Sequence, residues 1–246
     1  MQMSLVRRII RGAAPFALIS AAACDATGTD RVPVSVSFSG QSPAATAAIM
    51  ADVAIGDGAN TLVITKAQVM LREIELKRSP STQCSVDNVS ADDCEELSVG
   101  PFLIDLPVVG NTVTSLTATV PPDTYREIEF EIRKLGDETA AERALAAAHP
   151  EFGINSIRVE GTFNGSPFVF MMELDQELEL EFNVPVVITD ANQNVTIQLD
   201  LASWFRVGST LVNPVSANKD GPNESAVREN IRASIRAFGD DDRNGH

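Results

Sequence analysis

The stretch Thr61–Lys77, TLVITKAQVMLREIELK, has the alternating pattern of a long β-strand. Alternate side chains of a strand point to opposite faces, so apolar residues two positions apart share one face. The apolar pairs of this stretch occupy three successive phases: Leu62 and Ile64, then Val69 and Leu71, then Ile74 and Leu76. Two phase shifts within one strand indicate bulges, which bend long strands in β-sandwiches. The stretch therefore predicts a long, bent strand whose apolar face is turned inward.

Further alternating stretches on both sides of this one predict more strands. The pattern is clearest in the second half of the chain, where apolar residues alternate with two sets of acids: Glu127, Glu129 and Glu131, and Glu173, Asp175, Glu177, Glu179 and Glu181. Asn164-Gly165 is a strong hairpin signal, because both residues tolerate positive φ. About nine or ten short strands with turn clusters between them predict an all-β fold, an antiparallel β-sandwich over residues 32–206.

One stretch inside the predicted sandwich breaks the β pattern. Residues 136–149 are rich in alanine, which has the highest helix propensity, and Pro150 follows directly. A proline ends a helix at the preceding residue. The stretch therefore predicts a short insertion helix.

Residues 207–246 are expected to form a C-terminal loop, an amphipathic helix and an acidic tail. The apolar residues of the helix recur at helical spacing: Val227, Ile231, Ile235 and Phe238. Asn223 is placed to cap its N-terminus. A basic stripe runs beside the apolar one and consists of Arg228, Arg232 and Arg236. We expect this stripe to dock the helix on the carboxylates of the sheet.

The first 24 residues, Met1–Cys24, have the order of a secretory signal peptide. Three arginines come first without any acid, an apolar run follows, and Ala21-Ala22-Ala23 precede Cys24. The apolar run is shorter than the ~20 residues that cross a bilayer. Small residues before a single cysteine resemble the lipobox of bacterial lipoproteins, whose cysteine receives a diacylglycerol and becomes the mature N-terminus. The alternative is an ordinary signal-peptidase cut after Ala23, since Ala21-x-Ala23 also fits that rule.

The charge of the chain limits its partners. The net charge is −15, and because the first 24 residues hold three arginines and no acid, the remainder carries −18. A strongly acidic chain is repelled by phosphate backbones, which argues against nucleic acid, and by anionic membrane surfaces. We therefore expect contact with the membrane only through an N-terminal lipid, with residues 25–31 as a tether. The expected location is the bacterial cell envelope, on the periplasmic face or the cell surface; a protein or glycan ligand is left open.

The chain has three cysteines. Cys84 and Cys94 lie in one polar loop, whereas Cys24 stands alone at the processing site. In an exported protein we expect Cys84 and Cys94 to form a disulfide, which leaves Cys24 for the lipid. Closing so short a loop contributes roughly 2–3 kcal/mol. A metal site at these cysteines is disfavoured, because no histidine lies near them and there is no C-x-x-C.

The C-terminal tail has the pattern of a calcium loop. Asp240, Asp242 and Asn244 occupy positions 1, 3 and 5 of D-x-D-x-N-G, with Gly245 at the sharp turn. The bidentate glutamate of position 12 is absent, so half a loop binds no better than about 10⁻³ M. The alternative is a solvated acidic tail. Calcium is thus the one cofactor that the sequence suggests.

The rows of acids on the predicted strands have two interpretations. Carboxylates that share one strand face lie about 7 Å apart, which suits the collection of divalent cations. A solvated outer face that discourages edge-to-edge pairing of chains is the alternative, and we favour it.

Catalysis has little support in the sequence. The only histidines are His149 and His246, so a Ser-His-Asp or Cys-His arrangement lacks its base. A pair of carboxylates can hydrolyse glycosides, but sugar sites usually add aromatic platforms, and the chain has one tryptophan, Trp204, and one tyrosine, Tyr125. We expect no enzyme and no catalytic residues, and we assign structural roles to Trp204 and Tyr125.

Several segments of the first half resemble a family of bacterial envelope lipoproteins that carry a domain of unknown function. They are Asn60–Ile64 with Ala67–Val69, Glu73–Leu76, Gly100–Leu106 and the corner Val120–Tyr125. The similarity covers residues 34–135 and departs at Asp123, where such corners usually carry glycine. It implies a transthyretin-like or immunoglobulin-like sandwich on a lipid anchor, and it implies no activity and no catalytic residues.

Three functional hypotheses follow from the sequence. The first is a lipid-anchored, non-catalytic β-sandwich of the envelope that serves as a structural or binding module. The alternative is a calcium-dependent surface or adhesion module that uses the D-x-D-x-N-G tail. A carboxylate-based hydrolase is third, because the features of an active site are almost all missing.

Overall fold

The computed structural model describes residues 31–40, 53–79, 95–108, 113–189 and 193–241, which are mostly in β-strands. The strands, in chain order, are β1 (Val32–Ser39), β2 (Val53–Gly56), β3 (Thr61–Arg78), β4 (Glu95–Val99), β5 (Phe102–Leu106), β6 (Val113–Val120), β7 (Asp123–Ile132), β8 (Ile157–Phe163), β9 (Ser166–Met172), β10 (Gln176–Ile188), β11 (Asn194–Leu199), β12 (Arg206–Val207), β13 (Thr210–Leu211) and β14 (Ile235–Gly239). The helices are α1 (Ala140–Ala148), α2 (Leu201–Trp204) and α3 (Glu224–Ala233), with 3₁₀ turns at Pro150–Gly153 and Pro214–Ala217. Among these helices, none has the length and hydropathy of a membrane span.

The two main sheets pack in a sandwich-like way. One has the strand order β14-β11-β1-β6, and the other has the order β10-β7-β3-β8-β9, with β2, β4 and β5 also paired to β3. One core joins both sheets, with Phe38 and Ile197 from the first and Phe130 from the second. The pairing is mostly antiparallel, as predicted, but β1 and β11 are parallel. The chain reaches β11 only after forming the second sheet, which supplies the long crossover that a parallel pair requires.

Strand β3 confirms the long, bent strand predicted from Thr61–Lys77. Its register against β8 shifts between Ile64 and Lys66, and its register against β7 shifts between Leu71 and Glu73. These are the two places where the apolar phase changes in the sequence. All six of the phase-marking residues are buried: Leu62, Ile64, Val69, Leu71, Ile74 and Leu76. The bulges therefore keep apolar side chains on the inner face along the whole strand.

The insertion helix lies where the alanine-rich stretch predicts it, and it covers part of the outer face of β3. Thr139 and Glu142 form a capping box at the N-terminus of α1. A second apolar cluster of Met70, Leu135 and Phe152 holds the helix and the following 3₁₀ turn against the sheet. Arg72 of β3 also forms an ion pair with the buried Glu142, with Nε 3.6 Å from Oε1.

The predicted C-terminal helix is only partly correct. α3 ends at Ala233, and Ser234 is followed by β14, which pairs with β11 so that Ile235 lies opposite Leu199. Val227 and Ile231 are buried on the helix, as the spacing predicts. The continuation of the helix to Phe238 is wrong, because residues 235–239 complete the edge of the first sheet instead. Consequently the basic stripe does not exist as one helical face.

Two turns meet at one end of β3. The hairpin predicted at Asn164-Gly165 is confirmed, with φ of 51° and 77°, and the Asn164 side-chain oxygen accepts from the backbone N–H of Thr61 at 2.8 Å. Asp57 accepts from the N–H of Asn60 at 2.6 Å and from that of Leu211 in β13 at 2.7 Å. These backbone donors hold the pKa of Asp57 well below its usual value. The carboxylate thus ties the β2–β3 turn to the β12–β13 ribbon.

The single tyrosine and the single tryptophan of the chain have structural roles, as expected. The Tyr125 hydroxyl donates to the carbonyl of Pro121 at 2.9 Å, four residues earlier, in the arrangement of a tyrosine corner. Trp204 is fully buried, and its Nε1–H donates to the hydroxyl of Ser234 at 2.8 Å. Asp123, where the resembling corners carry glycine, is not among the described non-glycine residues with positive φ.

Replacing Tyr125 with phenylalanine tests the corner. The change leaves the buried carbonyl of Pro121 without this donor while the ring stays in place, so we expect a loss of about 1–3 kcal/mol in the free energy of unfolding. Urea denaturation at equilibrium measures it. The exposed Val207→Ala variant is the control and should stay within about 0.5 kcal/mol. Equal stability of Tyr125→Phe and the unmodified protein would show that the hydrogen bond does not stabilise the corner.

Candidate functional site

Most of the site residues suggested by the sequence lie outside the described residues. These are Cys24, Cys84, Cys94, Asp242 and Asn244. Their lipidation, disulfide and calcium assignments remain predictions. Asp240 is the one member of these sets that the structure describes.

Asp240 is buried at the edge of the first sheet instead of lying in a solvated loop. It is 4% exposed. The Thr196 hydroxyl donates to its Oδ2 at 2.7 Å, and its own N–H donates to the carbonyl of Asn194 at 2.8 Å. The Asn194 amide also donates to the carbonyl of Asp240 at 3.0 Å. The first residue of the predicted calcium loop is therefore bound to strand β11, and its carboxylate already accepts a hydrogen bond from the protein.

The outer face of β3, β7 and β10 brings eight carboxylates and one lysine together. We call it the acidic face and define it by three cross-strand rows: Glu73, Glu131 and Glu177; Glu75, Glu129 and Glu179; and Lys77, Glu127 and Glu181. Part of it lines a cavity of about 440 Å³. The sequence predicts the members on β7 and β10. The three members on β3, Glu73, Glu75 and Lys77, alternate with Ile74 and Leu76, and this alternation is the sequence pattern that indicates them. Glu173 and Asp175 precede β10 and do not belong to this face.

Lys77 is the one cation within these three rows. Its Nζ lies 3.4 Å from Oε1 of Glu127 and also contacts Glu129. Burial lowers the pKa of Lys77, but the hydrogen bonds and charges of these two carboxylates outweigh burial and raise it above its usual value. For Glu129, burial raises the pKa. Hydrogen bonds from Glu177 and Lys77, together with the charge of Lys77, outweigh burial and lower this pKa below its usual value. Lys77 thus offsets only part of the repulsion between the eight carboxylates, and Arg72 and Arg133, which flank the rows, pair with Glu131.

The pKa of Glu177 reflects the repulsion between carboxylates that Lys77 does not offset. A hydrogen bond with Glu129 and the negative charge of that residue raise the pKa of Glu177. Like charges placed opposite each other on neighbouring strands destabilise the pair. Because β10 is the terminal strand in the order of this sheet, its charges also discourage pairing with another chain. The carboxylates line one sheet face and not two opposing walls of a cleft, so the arrangement favours a charged surface over a glycoside-cleaving site.

A second cavity, of about 690 Å³, combines charges of both signs with apolar residues. We call it the mixed cleft, and its lining residues are Lys134, Ile154, Asn155, Met172, Glu173, Asp175, Lys219, Glu224 and Arg228. They come from the chain after β7, the chain before β8, the end of β9 with the β9–β10 connection, and the first half of α3 with the loop before it. No periodic pattern in the sequence links these four segments, which is why the cleft has no sequence signal.

Two ion pairs brace the mixed cleft. Lys134 Nζ lies 2.5 Å from Oε1 of Glu173, and Arg228 Nη2 lies 2.6 Å from Oε1 of Glu224. Arg228 also donates to the carbonyl of Glu173 at 2.7 Å, which fixes α3 to the β9–β10 connection. The hydrogen bond from Lys134 lowers the pKa of Glu173, and that from Arg228 lowers the pKa of Glu224. Within the described parts of the chain, the Arg228–Glu173 hydrogen bond is the contact between the predicted basic stripe and the predicted acidic ladder, whereas Arg232 pairs with Glu229 of its own helix.

Neither cavity has the donor set of a metal centre. Within the parts of the chain that the structure describes, no group of three or more His, Cys, Asp or Glu residues is arranged to hold a metal ion. The residues 242–246 of the tail lie outside these parts, so calcium binding by the tail stays a prediction.

Comparisons with known proteins do not identify a family. No protein-family model matches the chain, and no curated protein matches it. Among solved structures, MbnP from Methylosinus trichosporium is similar over 80% of this chain and 87% of its own, with 12% sequence identity and a TM-score of 0.42. A likeness of this degree carries no information about activity. The resemblance to envelope lipoproteins therefore remains a prediction.

Replacing Glu177 with glutamine tests the repulsion on the acidic face. The folded state raises the pKa of Glu177, so ionisation of this residue opposes folding. Stability is therefore lost as the pH rises through the raised pKa, and it is retained where Glu177 is protonated. Glutamine carries no charge and still donates to Glu129. We expect the Glu177→Gln variant to have a higher midpoint of thermal unfolding than the unmodified protein at pH 7. Near pH 3 the two midpoints should be equal.

Added salt should narrow the difference at pH 7, because salt screens exposed charges. Glu229→Gln, an exposed replacement on α3 with the same change in charge, is the control and should give no increase. An increase that is the same at pH 3 and pH 7 would show that repulsion is not its cause.

Proposed function

We propose that the protein is an exported, lipid-anchored and non-catalytic module of the bacterial envelope that acts by binding. The observation that carries this proposal is the order of basic, apolar and small residues that ends at Cys24. Such a segment directs export, and its single cysteine is positioned for acylation. Stable anchoring takes more than one weak membrane signal, and the several acyl chains of a lipoprotein cysteine meet that need.

The position of β1 supports an anchor with a short reach. The first strand begins at Val32, so seven residues separate it from Cys24. Seven extended residues span roughly 25 Å, which keeps the folded part near the membrane surface. The net charge of −18 after Cys24 makes direct adsorption to anionic lipid unfavourable. The lipid is then what holds the protein at the membrane, and the folded part stays available for a partner.

The surfaces of the folded part support binding as the activity. The mixed cleft is a concave site of the volume that small ligands occupy, with a few fixed charged groups and an apolar residue. The Lys134–Glu173 ion pair and the hydrogen bond from Arg228 to the carbonyl of Glu173 join three separate chain segments, so the shape of the cleft exists before any ligand arrives. We further propose that the two sheets belong to the transthyretin-like or immunoglobulin-like sandwiches that such lipoproteins carry, in which a rigid sandwich presents sites of unrelated function.

Acylation of Cys24 is the test of this proposal. The full chain is produced in a Gram-negative bacterial host with a clickable fatty acid, and the protein is followed by fluorescence and by intact mass. We expect label in the membrane fraction and a mass that corresponds to a chain beginning at acylated Cys24. Cys24→Ala should lose the label, whereas the matched control Cys84→Ala should keep it.

The same sample tests the oxidation state of the other cysteines. Cys84 and Cys94 should resist alkylation until a reductant is added, because we expect them to be paired. An unlabelled, soluble protein with Cys24 unmodified would contradict the proposal, and reduced Cys84 and Cys94 would argue against export.

A further inference from the structure

The mixed cleft has two charged groups that its ion pairs leave available. Among the described residues, Lys219 has no hydrogen-bond or ion-pair partner within 4.0 Å, although its charge contributes to the lowered pKa of Glu173 and of Glu224. Asp175 is 65% exposed, and its described ion pair is a long one, with Oδ2 3.8 Å from Nε of Arg133. The other four charged residues of the lining are engaged in the two short ion pairs. The cleft therefore presents one ammonium group and one carboxylate group to a ligand.

An apolar residue lies beside these charges. Ile154 is 69% exposed, although a large aliphatic side chain gains from burial. It follows the 3₁₀ turn at Pro150–Gly153 and lines the cleft together with Met172. A ligand with an aliphatic group would cover this side chain and remove it from water.

The balance of charge in the cleft indicates the class of ligand. Three cationic residues and three carboxylates line it: Lys134, Lys219 and Arg228, and Glu173, Asp175 and Glu224. A simple anion would approach three carboxylates, and a simple cation would approach three cations. A ligand that carries both charges pairs with each free group and leaves no charge buried without a partner.

The loop that bears Lys219 is held in place before binding. The Asn218 side-chain oxygen accepts from the N–H of Met171 at 2.9 Å, which ties the loop to β9. The backbone carbonyl of Asn218 accepts from the N–H of Gly221 at 2.8 Å. Asp220 has a φ of 63°, and its N–H donates to Oε2 of Glu224 at 2.7 Å. Binding therefore does not have to order the backbone around Lys219, which favours affinity.

We propose that the mixed cleft binds a small zwitterion with an aliphatic side chain, namely an amino acid or a short peptide. Its carboxylate pairs with Lys219, its ammonium pairs with Asp175, and its side chain covers Ile154. The volume of the cleft, about 690 Å³, is large enough for a ligand of more than one amino-acid residue. This inference rests on the proposed binding role and specifies the ligand of that role.

Isothermal titration calorimetry with L-leucine and with the dipeptide Leu-Leu tests the inference. The protein is expressed from the full chain and purified in detergent from whole cells, so that binding is measured whether or not Cys24 is acylated. We expect saturable heat with at least one of the two ligands, and the tighter one distinguishes a free amino acid from a peptide. Lys219→Ala, Asp175→Asn and Ile154→Ala should each weaken binding about tenfold.

Blocked ligands assign each contact. Leucine amide lacks the carboxylate, so Lys219→Ala should change its affinity little, whereas Asp175→Asn should still weaken it. N-acetyl-leucine lacks the ammonium, so Asp175→Asn should change its affinity little, whereas Lys219→Ala should still weaken it. Lys66→Ala and Asp137→Asn make the same changes outside the cleft and should leave binding unaltered.

Two results would overturn the inference. One is the absence of saturable heat with both ligands in a folded protein, and the other is equal weakening by the cleft variants and the two controls. Thermal unfolding of every variant verifies that the fold is intact. Failure of acylation leaves these titrations unchanged, and failure of binding in an acylated protein leaves the anchor intact, so the two proposals fail separately.

Discussion

The pairing of β3 with its neighbours is the constraint on which the rest of the structure depends. Within the described residues, this strand is hydrogen-bonded to β2, β4, β5, β7 and β8. A strand of 18 residues with a strict period of two would turn half of its apolar residues outward. The shifts after Ile64 and after Leu71 prevent this, because each restores the apolar side chains to the core. Without the second shift, Glu73 and Glu75 would face the core, where unpaired charge is very costly.

The same shifts determine what the outer face carries. Once Ile74 and Leu76 face inward, Glu73, Glu75 and Lys77 must face outward, beside the acids of β7. Earlier in β3, Met70 is covered by Leu135 and Phe152, so the insertion that contains α1 occupies the adjoining part of this face. The chain then leaves β7 through Lys134, which reaches the mixed cleft. Both charged surfaces therefore depend on the strand that organises the sheet.

The sequence predicts which residues share a face better than it predicts which strands are neighbours. Alternation identifies Glu127, Glu129 and Glu131 as an outward set, because a period of two follows from strand geometry alone. That β7 lies between β3 and β10 depends on tertiary packing, so the nine-residue arrangement of the acidic face is not apparent from sequence. The C-terminus shows a different limit. Ile235 continues the helical spacing of Val227 and Ile231, but pairing with Leu199 on β11 draws it into a strand.

Sites built from distant segments are the hardest to predict. Lys134 and Asn155 lie at opposite ends of the β7–β8 connection, Asp175 lies in the β9–β10 connection and Lys219 precedes α3. No spacing in the sequence relates these four residues. Asp240 shows a related limit: the spacing of the tail suggests a calcium loop, whereas the burial of its first residue follows from hydrogen bonds with β11 that no local pattern indicates. Local pattern therefore predicts strands and faces, whereas the assembly of connections determines the cleft.

Hydrogen exchange of individual backbone amides tests the central role of β3 most directly. If pairing on both sides makes β3 the last element to open, its amides between Val69 and Ile74 should exchange only through global unfolding. Their opening free energy should then equal the free energy of unfolding from denaturant. The amides of β10, which is bordered by β7 alone in its sheet and carries repelling acids, should open at lower cost. Exchange of the β3 amides as fast as those of β10 would contradict this account.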